Sequence, residues 1–276
     1  MEDSSVIKGP QRVAVVIPCR GARASIASTI RACRAIPAVD LVVVVDDGSE
    51  DNTAQVARAA GAVAVRHSIS RGRASAMETG VKVAAMRDRA DWPPRLILFL
   101  DPDVGESAVE ASALVEAVIS GTADCAIGVP VGSPRLDRPN TIAKQGLRRA
   151  TGWQSTLPLA TQRCLTRDAV DAVMPFSTGW GVDIGMTIDL LSKGFAVVEV
   201  PCDFQHSMPP RERHDGRKGT RFWDVWFSVN MRRLARARIT AARRTPVEEQ
   251  GVGVPYQVAS LSEKSGRKSS SSKSKR

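Results

Sequence analysis

The sequence of 276 residues contains no apolar run long enough to cross a membrane as a helix. Its longest apolar runs, such as residues 41–45 and 96–100, hold about five residues, whereas a membrane-spanning helix needs roughly 20. The first twelve residues, MEDSSVIKGPQR, are polar and lack the apolar centre of a secretory signal. We therefore expect a protein that works in the cytoplasm.

Cysteine is also scarce, and its spacing excludes two common uses. The five cysteines are scattered, odd in number and never in a C-x-x-C pair, which argues against a disulfide framework and against a zinc site. We expect buried free thiols, as in a reducing cytosol. The five are Cys19, Cys33, Cys125, Cys164 and Cys202.

Two nucleotide-binding signatures are missing. A Rossmann oxidoreductase needs G-x-G-x-x-G after its first strand, where this chain has PCRGARAS. The P-loop pattern G-x-x-x-x-G-K-[ST] is absent as well. A nucleotidyltransferase stays open as a rival, although its Gly-rich basic first loop is matched only by Arg20-Gly21.

The net charge of +10 is unevenly distributed along the chain. Residues 210–276 hold 17 Lys/Arg and 6 Asp/Glu, whereas residues 1–209 hold 22 and 23. The nearly neutral first part argues against a nucleic-acid-binding domain, which stays the alternative outside enzymes. We expect residues 246–276, which end in KSGRKSSSSKSKR, to be a disordered basic tail.

Short apolar runs alternate with amphipathic segments along most of the chain. This pattern predicts an α/β fold with a mostly parallel sheet and helices on both faces. The predicted strands are 13–17, 41–45, 62–65, 96–100, 125–129 and 196–200, and the predicted helices are 25–35, 53–60, 74–89, 109–119, 163–174, 182–192 and 221–244, with a loop at 132–139.

Polar or turn-forming residues follow three of the predicted strands. Pro18 closes the first strand, Asp46-Asp47-Gly48 the second and Asp101-Pro102-Asp103 the fourth. Ligands of parallel α/β sheets bind outside the carboxyl ends of the strands, so we expect the site there.

The segment LILFLDPDV carries the strongest chemical signal. Asp101 and Asp103, one residue apart after a buried strand, can offer oxygen ligands to a divalent cation that neutralises a diphosphate. A solvated turn is the alternative interpretation.

Two further segments suggest nucleotide contacts. In VVVVDDGSEDNT, Asp47 either binds a uracil imide or a ribose, or simply forms part of a strand-turn-helix connection. In SRGRASAMETG, Arg71 and Arg73 flank Gly72 before a helix, which suits phosphate binding, although exposed arginines are common.

Taken in order, VVIP, DDGSEDNT, GRAS and DPD resemble the nucleotide-sugar half of the GT-A glycosyltransferases, specifically glycosyltransferase family 2. PFSTGWGVDIGMTIDLLSKGFAVVEVPCDFQH resembles the acceptor segment of bacterial members near the glucosyl-3-phosphoglycerate synthases and polyprenyl-phosphate sugar transferases. The resemblance implies a GT-A-like domain over residues 12–245, with a nucleotide-sugar half at 12–130 and an acceptor half at 131–245. Residues 1–11 would be a flexible N-terminus.

The resemblance also implies roles for single residues. Those assigned to donor binding are Pro18, Asp47, Arg73 and Asp101. Asp103 and His206 would be ligands of Mn²⁺ or Mg²⁺, and Asp183 would be the catalytic acidic residue on the acceptor side. Without the resemblance, His206 is interpretable as a structural histidine and Asp183 as a helix cap.

The resemblance extends to donor and acceptor. It implies a nucleotide-sugar donor, UDP-sugar in first place and GDP-sugar in second, and a phosphorylated or lipid-phosphate acceptor. The chain departs from the family where many members have Asn-Glu after the first strand, because it has CRGARAS there. The base is therefore left open.

The predicted C-terminal helix combines aromatic and basic residues. Phe222, Trp226 and Val229 fall on one predicted face, next to Arg232, Arg233, Arg236 and Arg238. This composition suits peripheral contact with an anionic membrane. The alternative is that the aromatic residues close the core and the arginines are solvated.

Overall fold

The computed structural model describes residues 9–132, 134, 136–207 and 220–236. Within these residues, strands and helices alternate along the chain. The strands are β1 (Val13–Cys19), β2 (Val39–Asp46), β3 (Val63–Arg66), β4 (Leu96–Phe99), β5 (Cys125–Val129), β6 (Arg163–Leu165) and β7 (Val197–Pro201). The helices are α1 (Ile26–Cys33), α2 (Thr53–Ala59), α3 (Arg73–Ala85), α4 (Ser112–Ile119), α5 (Arg138–Thr151), α6 (Arg167–Val173), α7 (Val182–Lys193) and α8 (Thr220–Arg236), with 3-10 turns at Gly105–Ala111 and Gly179–Gly181.

The strands form one seven-stranded sheet in the order β3-β2-β1-β4-β6-β5-β7. All pairings are parallel except those of β6, which runs antiparallel to both β4 and β5. The prediction of a mostly parallel sheet is therefore confirmed. The carboxyl ends of β1, β2, β4 and β7 meet at one edge, and the amino end of β6 reaches the same edge.

The side chains of the central strands point alternately to the two faces of the sheet, and each face packs against its own layer of helices. In β1, Ala14 and Val16 face a core formed with α3, α5, α6, α7 and α8. Val13, Val15 and Ile17 face the opposite core, formed with α1, α2 and α4. Helices thus cover both faces, as predicted, because strands that are apolar on both sides need a cover on each.

The prediction of one helix over residues 163–174 is wrong. Residues 163–165 form β6, and α6 begins only at Arg167. Thr166 separates the two elements, since its side chain accepts a hydrogen bond from the Ala169 N–H and caps α6. The backbone of β6 pairs instead with the strands on either side of it.

The predicted loop at 132–139 extends too far, and the helix that follows it was not predicted. Asp137 caps α5 by accepting a hydrogen bond from the Asn140 N–H at 2.9 Å, and Pro139 lies in the first turn. Gly152, with φ of 87°, ends the helix in the left-handed conformation. These are ordinary start and stop signals of a helix, and they were present in the sequence.

The predicted helix at 109–119 is also only partly correct, because residues 105–111 form a 3-10 turn and the α-helix starts at Ser112. The C-terminal helix exists, but the expectation that Phe222, Trp226 and Val229 form one exposed side of it is wrong. Val229 is buried at 5% exposure in the core, whereas Trp226 is 42% exposed. Glycines on the neighbouring elements, Gly146 and Gly181, leave room for the side of α8 that turns inward.

Three further expectations concern single features or the chain ends. All five cysteines are buried and free, as expected. Among the described residues no helix has the length and apolar character needed to span a bilayer. Residues 1–8 of the flexible N-terminus expected at 1–11 lie outside the described residues, as do residues 237–244 of the predicted C-terminal helix and the tail expected at 246–276.

Candidate active site

All seven residues singled out in the sequence line one cavity of about 440 Å³ at the carboxyl edge of the sheet. A volume of this size lies in the range of small-molecule sites. The seven are Pro18, Asp47, Arg73, Asp101, Asp103, Asp183 and His206.

The sheet topology explains why residues so far apart in sequence meet. Pro18 lies near the end of β1, Asp47 follows β2 and Asp101 follows β4, and these three strands are parallel neighbours. His206 follows β7, which runs in the same direction from the other side of the sheet. Asp183 comes from the first turn of α7.

Asp101, Asp103 and His206 form a compact group of potential metal ligands. One ligand atom from each lies within 4.8 Å of the others. His206 Nδ1 is 3.0 Å from Asp103 Oδ1, and the Asp103 side chain is fully buried. Two carboxylates and an imidazole are a suitable set for Mn²⁺ or Mg²⁺, since both cations favour carboxylate oxygen.

Asp101 is fixed by three side chains. Its Oδ1 accepts a hydrogen bond from Arg73 Nη1 at 2.9 Å, and its Oδ2 accepts from Thr161 Oγ1 at 2.7 Å and Gln162 Nε2 at 3.0 Å. A buried carboxylate with this many donors is held in one orientation. Asp101 therefore enters the cavity as a preorganised group.

Asp47 holds the turn that precedes α3. Its carboxylate accepts from the Arg71 and Gly72 N–H groups and from Ser70 Oγ, each at 2.8 Å. His67 Nδ1 lies 2.7 Å from the same carboxylate. Burial alone would raise the pKa of Asp47, but these hydrogen bonds hold that pKa below its ordinary value. Asp47 thus fixes the turn that positions Arg73, besides lining the cavity.

Arg73 lies between Asp101, which follows β4, and Asp183, which belongs to α7. Arg73 Nη2 lies 3.9 Å from Asp183 Oδ1, and Arg163 Nη2 lies 3.4 Å from the same oxygen. Burial would lower the pKa of Arg73, but Asp101 and Asp183 raise it, so the guanidinium stays charged. Its Nε and Nη2 atoms are buried and find no hydrogen-bond acceptor among the described residues. An anionic ligand would supply such acceptors.

Several residues of the cavity were not predicted from the sequence. Thr161 and Gln162 hold Asp101, and Trp180 lines the cavity ahead of Asp183. The signal for the first two was the polar T-Q-R inside the otherwise apolar PLATQRCL. Since a helix was predicted to start at Arg163, the two polar residues before it were not connected with the edge of the sheet.

Comparison with protein families gives one match. The model described as "Glycosyl transferase family 2" matches residues 14–177, which is more than half of the chain. The matched stretch contains β1 without its first residue, β2 to β6, and five of the seven cavity residues named from the sequence.

Two curated relatives illustrate the range of similarity. The chain is 29% identical to polyprenol monophosphomannose synthase of Mycolicibacterium smegmatis, over 74% of this chain and 81% of the relative. It is 34% identical to an uncharacterised protein of Methanocaldococcus jannaschii, over 32% of this chain and 34% of the relative. The second match therefore spans only about a third of that relative's length.

Among solved structures, the chain resembles glucosyl-3-phosphoglycerate synthase from Mycobacterium tuberculosis in complex with Mn²⁺, UDP and phosphoglyceric acid. The TM-score is 0.65 at 22% identity, covering 80% of this chain and 78% of that one. A structure of the same synthase with Mg²⁺ and UDP gives a TM-score of 0.64 at 22% identity. At this identity the likeness establishes the GT-A fold.

Proposed function

Because the chain belongs to glycosyl transferase family 2, we propose that it transfers a sugar from a UDP-sugar to a phosphate-bearing acceptor with the help of Mn²⁺ or Mg²⁺. One observation carries the proposal: the candidate metal ligands and Asp47, Arg73 and Asp183 line a single cavity. The setting would be cell-envelope or phosphorylated-metabolite glycosylation in the cytoplasm. GDP-sugar is the alternative donor.

The donor side is proposed at the ends of β1, β2 and β4. Pro18 and Asp47 would contact the nucleoside, and Asp101 the ribose. The ordered carboxylate of Asp101 supports this role, because an acceptor that is already oriented loses less conformational entropy when it binds a hydroxyl group. The solved relative binds UDP according to its description, which favours uracil over guanine here.

The metal is proposed to be held by Asp103 and His206, with Asp101 beside them. When bound, the cation would supply Lewis-acid stabilisation of the charge that develops on the departing nucleoside diphosphate. The buried Asp103 carboxylate fits this proposal, since a charged group without exposure needs a charged or hydrogen-bonding partner.

Arg73 is proposed to bind a phosphate oxygen. Its buried Nε and Nη2 atoms have no hydrogen-bond acceptor among the described residues, and its guanidinium stays charged. Guanidinium groups bind phosphate through paired N–H donors, so this residue can hold donor or acceptor phosphate without rearrangement of Asp101.

Asp183 is proposed as the catalytic residue on the acceptor side, where it would receive the proton of the attacking acceptor group. It lies on the cavity wall in the first turn of α7, and Arg163 and Arg73 restrict its carboxylate from two sides. A positioned carboxylate is a common general base in such transfers.

Peripheral membrane contact is proposed for α8. Trp223, Trp226 and Phe227 are 61%, 42% and 59% exposed, and the sequence that follows is rich in arginine. Exposed tryptophan and neighbouring positive charge favour the interface of an anionic bilayer. Such placement would suit a lipid-phosphate acceptor, as the name of the M. smegmatis relative suggests.

A thermal-shift panel of UDP-, GDP- and ADP-sugars, each with and without Mn²⁺, tests the donor proposal. We expect the largest rise in melting temperature with a UDP-sugar and Mn²⁺ together. A rise with GDP-sugar alone would move the donor to the alternative. No rise with any nucleotide-sugar would contradict the proposed function.

A further inference from the structure

The inner face of α8 rests on the turn that forms part of the cavity wall. Gly179 and Trp180 of this 3-10 turn line the cavity, and α7 with Asp183 follows directly. The turn therefore leads into the proposed acceptor side of the site. On the side that faces away from the cavity, the turn packs against α8, which fixes its position.

Two hydrogen bonds join α8 to this turn. The Trp180 N–H donates to Asp224 Oδ2 at 3.1 Å, and Ser228 Oγ donates to the Gly181 carbonyl at 3.1 Å. Asp224 and Ser228 are four residues apart, so they lie one above the other on the same side of the helix. Together they hold two successive residues of the turn, Trp180 and Gly181.

The glycines of the turn are required for this contact. Gly179 has a φ of +68°, and a Cβ placed there would overlap the Asp224 carboxylate. A Cβ at Gly181 would lie 2.5 Å from the Ser228 Cβ, which is closer than two carbons can approach. The close approach of α8 is therefore built into the sequence of both partners.

A different set of contacts anchors the same helix away from the cavity. Arg232 donates to Asp189 on α7 and to Ser177, with its Nη2 at 2.6 Å from Asp189 Oδ2 and 2.5 Å from Ser177 Oγ. Neither Ser177 nor Asp189 lines the cavity. Arg232 Nη1 also donates to Ser228 Oγ at 2.9 Å, so the two sets of contacts meet at Ser228. The hydrogen bond from the Trp180 N–H to Asp224 does not involve Arg232, so mutation of Asp224 and of Asp189 tests the two sets separately.

We propose that Asp224 and Ser228 are positioning residues that fix the acceptor wall, so that α8 controls acceptor binding while the donor side is set independently. This inference rests on the proposed function. The donor-side residue Asp101 is held by Arg73, Thr161 and Gln162, none of which belongs to α8. Loss of the α8 contacts should therefore impair the acceptor and spare the donor.

The test compares Asp224→Ala with Asp224→Asn, and uses Asp189→Ala as the matched control. Amide exchange at Trp180 is measured by hydrogen–deuterium exchange. A hydrogen bond to a charged group contributes about 1.5–3 kcal/mol, so we expect exchange to rise about ten- to hundredfold in Asp224→Ala. Asp224→Asn keeps an acceptor oxygen and should restore most of the protection. Asp189→Ala should lower the melting temperature without changing exchange at Trp180.

Function is measured with UDP-glucose as donor and with 3-phosphoglycerate and a short polyprenyl phosphate as acceptor probes. In Asp224→Ala we expect the acceptor KM to rise about tenfold, by analogy with the loss of one oriented hydrogen bond, and the donor Kd to stay within about twofold. Unchanged Trp180 exchange, or raised exchange with unchanged acceptor KM, would overturn the inference. An equal rise in KM in Asp189→Ala would overturn it as well, since the effect would then be one of general helix docking.

Failure of the proposed function gives a different result. If the wild-type protein transfers sugar to neither probe, the acceptor proposal has failed. The support of the turn by Asp224 is then decided by exchange alone, since that measurement needs no turnover. Retained protection of the Trp180 amide in Asp224→Ala would refute it.

Discussion

Replacement of His206 by alanine separates a metal ligand from a structural histidine. His206 Nδ1 lies 3.0 Å from the buried Asp103 carboxylate, so the substitution removes a partner in either case. Loss of one partner of a buried acceptor costs about 1–3 kcal/mol, and we expect a lower melting temperature without metal. That loss alone does not distinguish the two roles.

The response to Mn²⁺ does distinguish them. At a Mn²⁺ concentration of about 100 times the wild-type Kd, binding stabilises the folded state by about 2.7 kcal/mol. We expect His206→Ala to weaken metal binding by about tenfold or more, which leaves about 1.4 kcal/mol at the same concentration. Since 1 kcal/mol shifts the melting temperature of a chain of this size by about 2–4 °C, the Mn²⁺-induced rise should shrink by about 3–5 °C.

The matched control is His67→Ala. His67 is also a buried histidine next to a carboxylate, with Nδ1 at 2.7 Å from Asp47, but it lies outside the metal-ligand group. We expect His67→Ala to have a lower melting temperature than wild type without metal, but to show the full rise in melting temperature when Mn²⁺ is added. A full rise in His206→Ala as well would refute the ligand role and leave His206 as a structural residue.

Three further predictions address the remaining parts of the site. Asp183→Asn should keep donor affinity, measured by calorimetry, within about twofold of wild type. The rate of transfer, measured by product formation, should fall about a hundredfold or more, as expected for the loss of a general base. Loss of donor affinity would place Asp183 on the donor side. Asp47→Asn should lower the melting temperature at pH 7, and its difference from wild type should shrink as the pH falls below about 4. The reason is that the pKa of Asp47 is lowered in the folded protein, so its carboxylate stabilises the fold at a pH above the ordinary pKa, and this stability is lost as the carboxylate is protonated. A pH-independent difference would contradict this. The full-length chain should sediment with anionic but not neutral vesicles at low salt, and Trp226→Ser with Phe227→Ser should lose that binding; a loss seen only in a chain ending at Gln250 would assign it to the tail.

The position of Asp101 and Asp103 at the ligand edge of the sheet was predictable from the sequence because its signal is local. Asp101 and Asp103 directly follow an apolar strand, and the carboxyl end of a parallel strand is the usual ligand edge. The cavity contains both residues, as the pattern indicates. Their roles toward donor and cation stay predictions.

Strand β6 was not predictable because it is defined by its partners. It has only three residues, and it becomes a strand by inserting antiparallel between β4 and β5. Reversal of its direction also brings residues that precede it, Thr161 and Gln162, to the ligand edge. Local pattern contains no information about such long-range pairing.

The prediction of which side of α8 is exposed was wrong for a related reason. Helical periodicity placed Phe222, Trp226 and Val229 on one face, but Val229 packs where Gly146 leaves room for it. A Cβ at Gly146 would overlap Val229, so the small residue on α5 selects the inner face of α8. The deciding information lies on the partner helix.

The most direct test of metal-dependent donor binding is calorimetric titration of UDP-glucose into wild-type protein and Asp103→Ala, each with Mn²⁺ and with EDTA. We predict binding by the wild type with Mn²⁺, and at least about tenfold weaker binding both in EDTA and in Asp103→Ala, because the cation proposed to neutralise the donor diphosphate would be absent in the first case and would lose a ligand in the second. The melting temperature of the variant in EDTA shows whether its fold is intact. Unchanged UDP-glucose affinity in a folded Asp103→Ala protein would contradict the account.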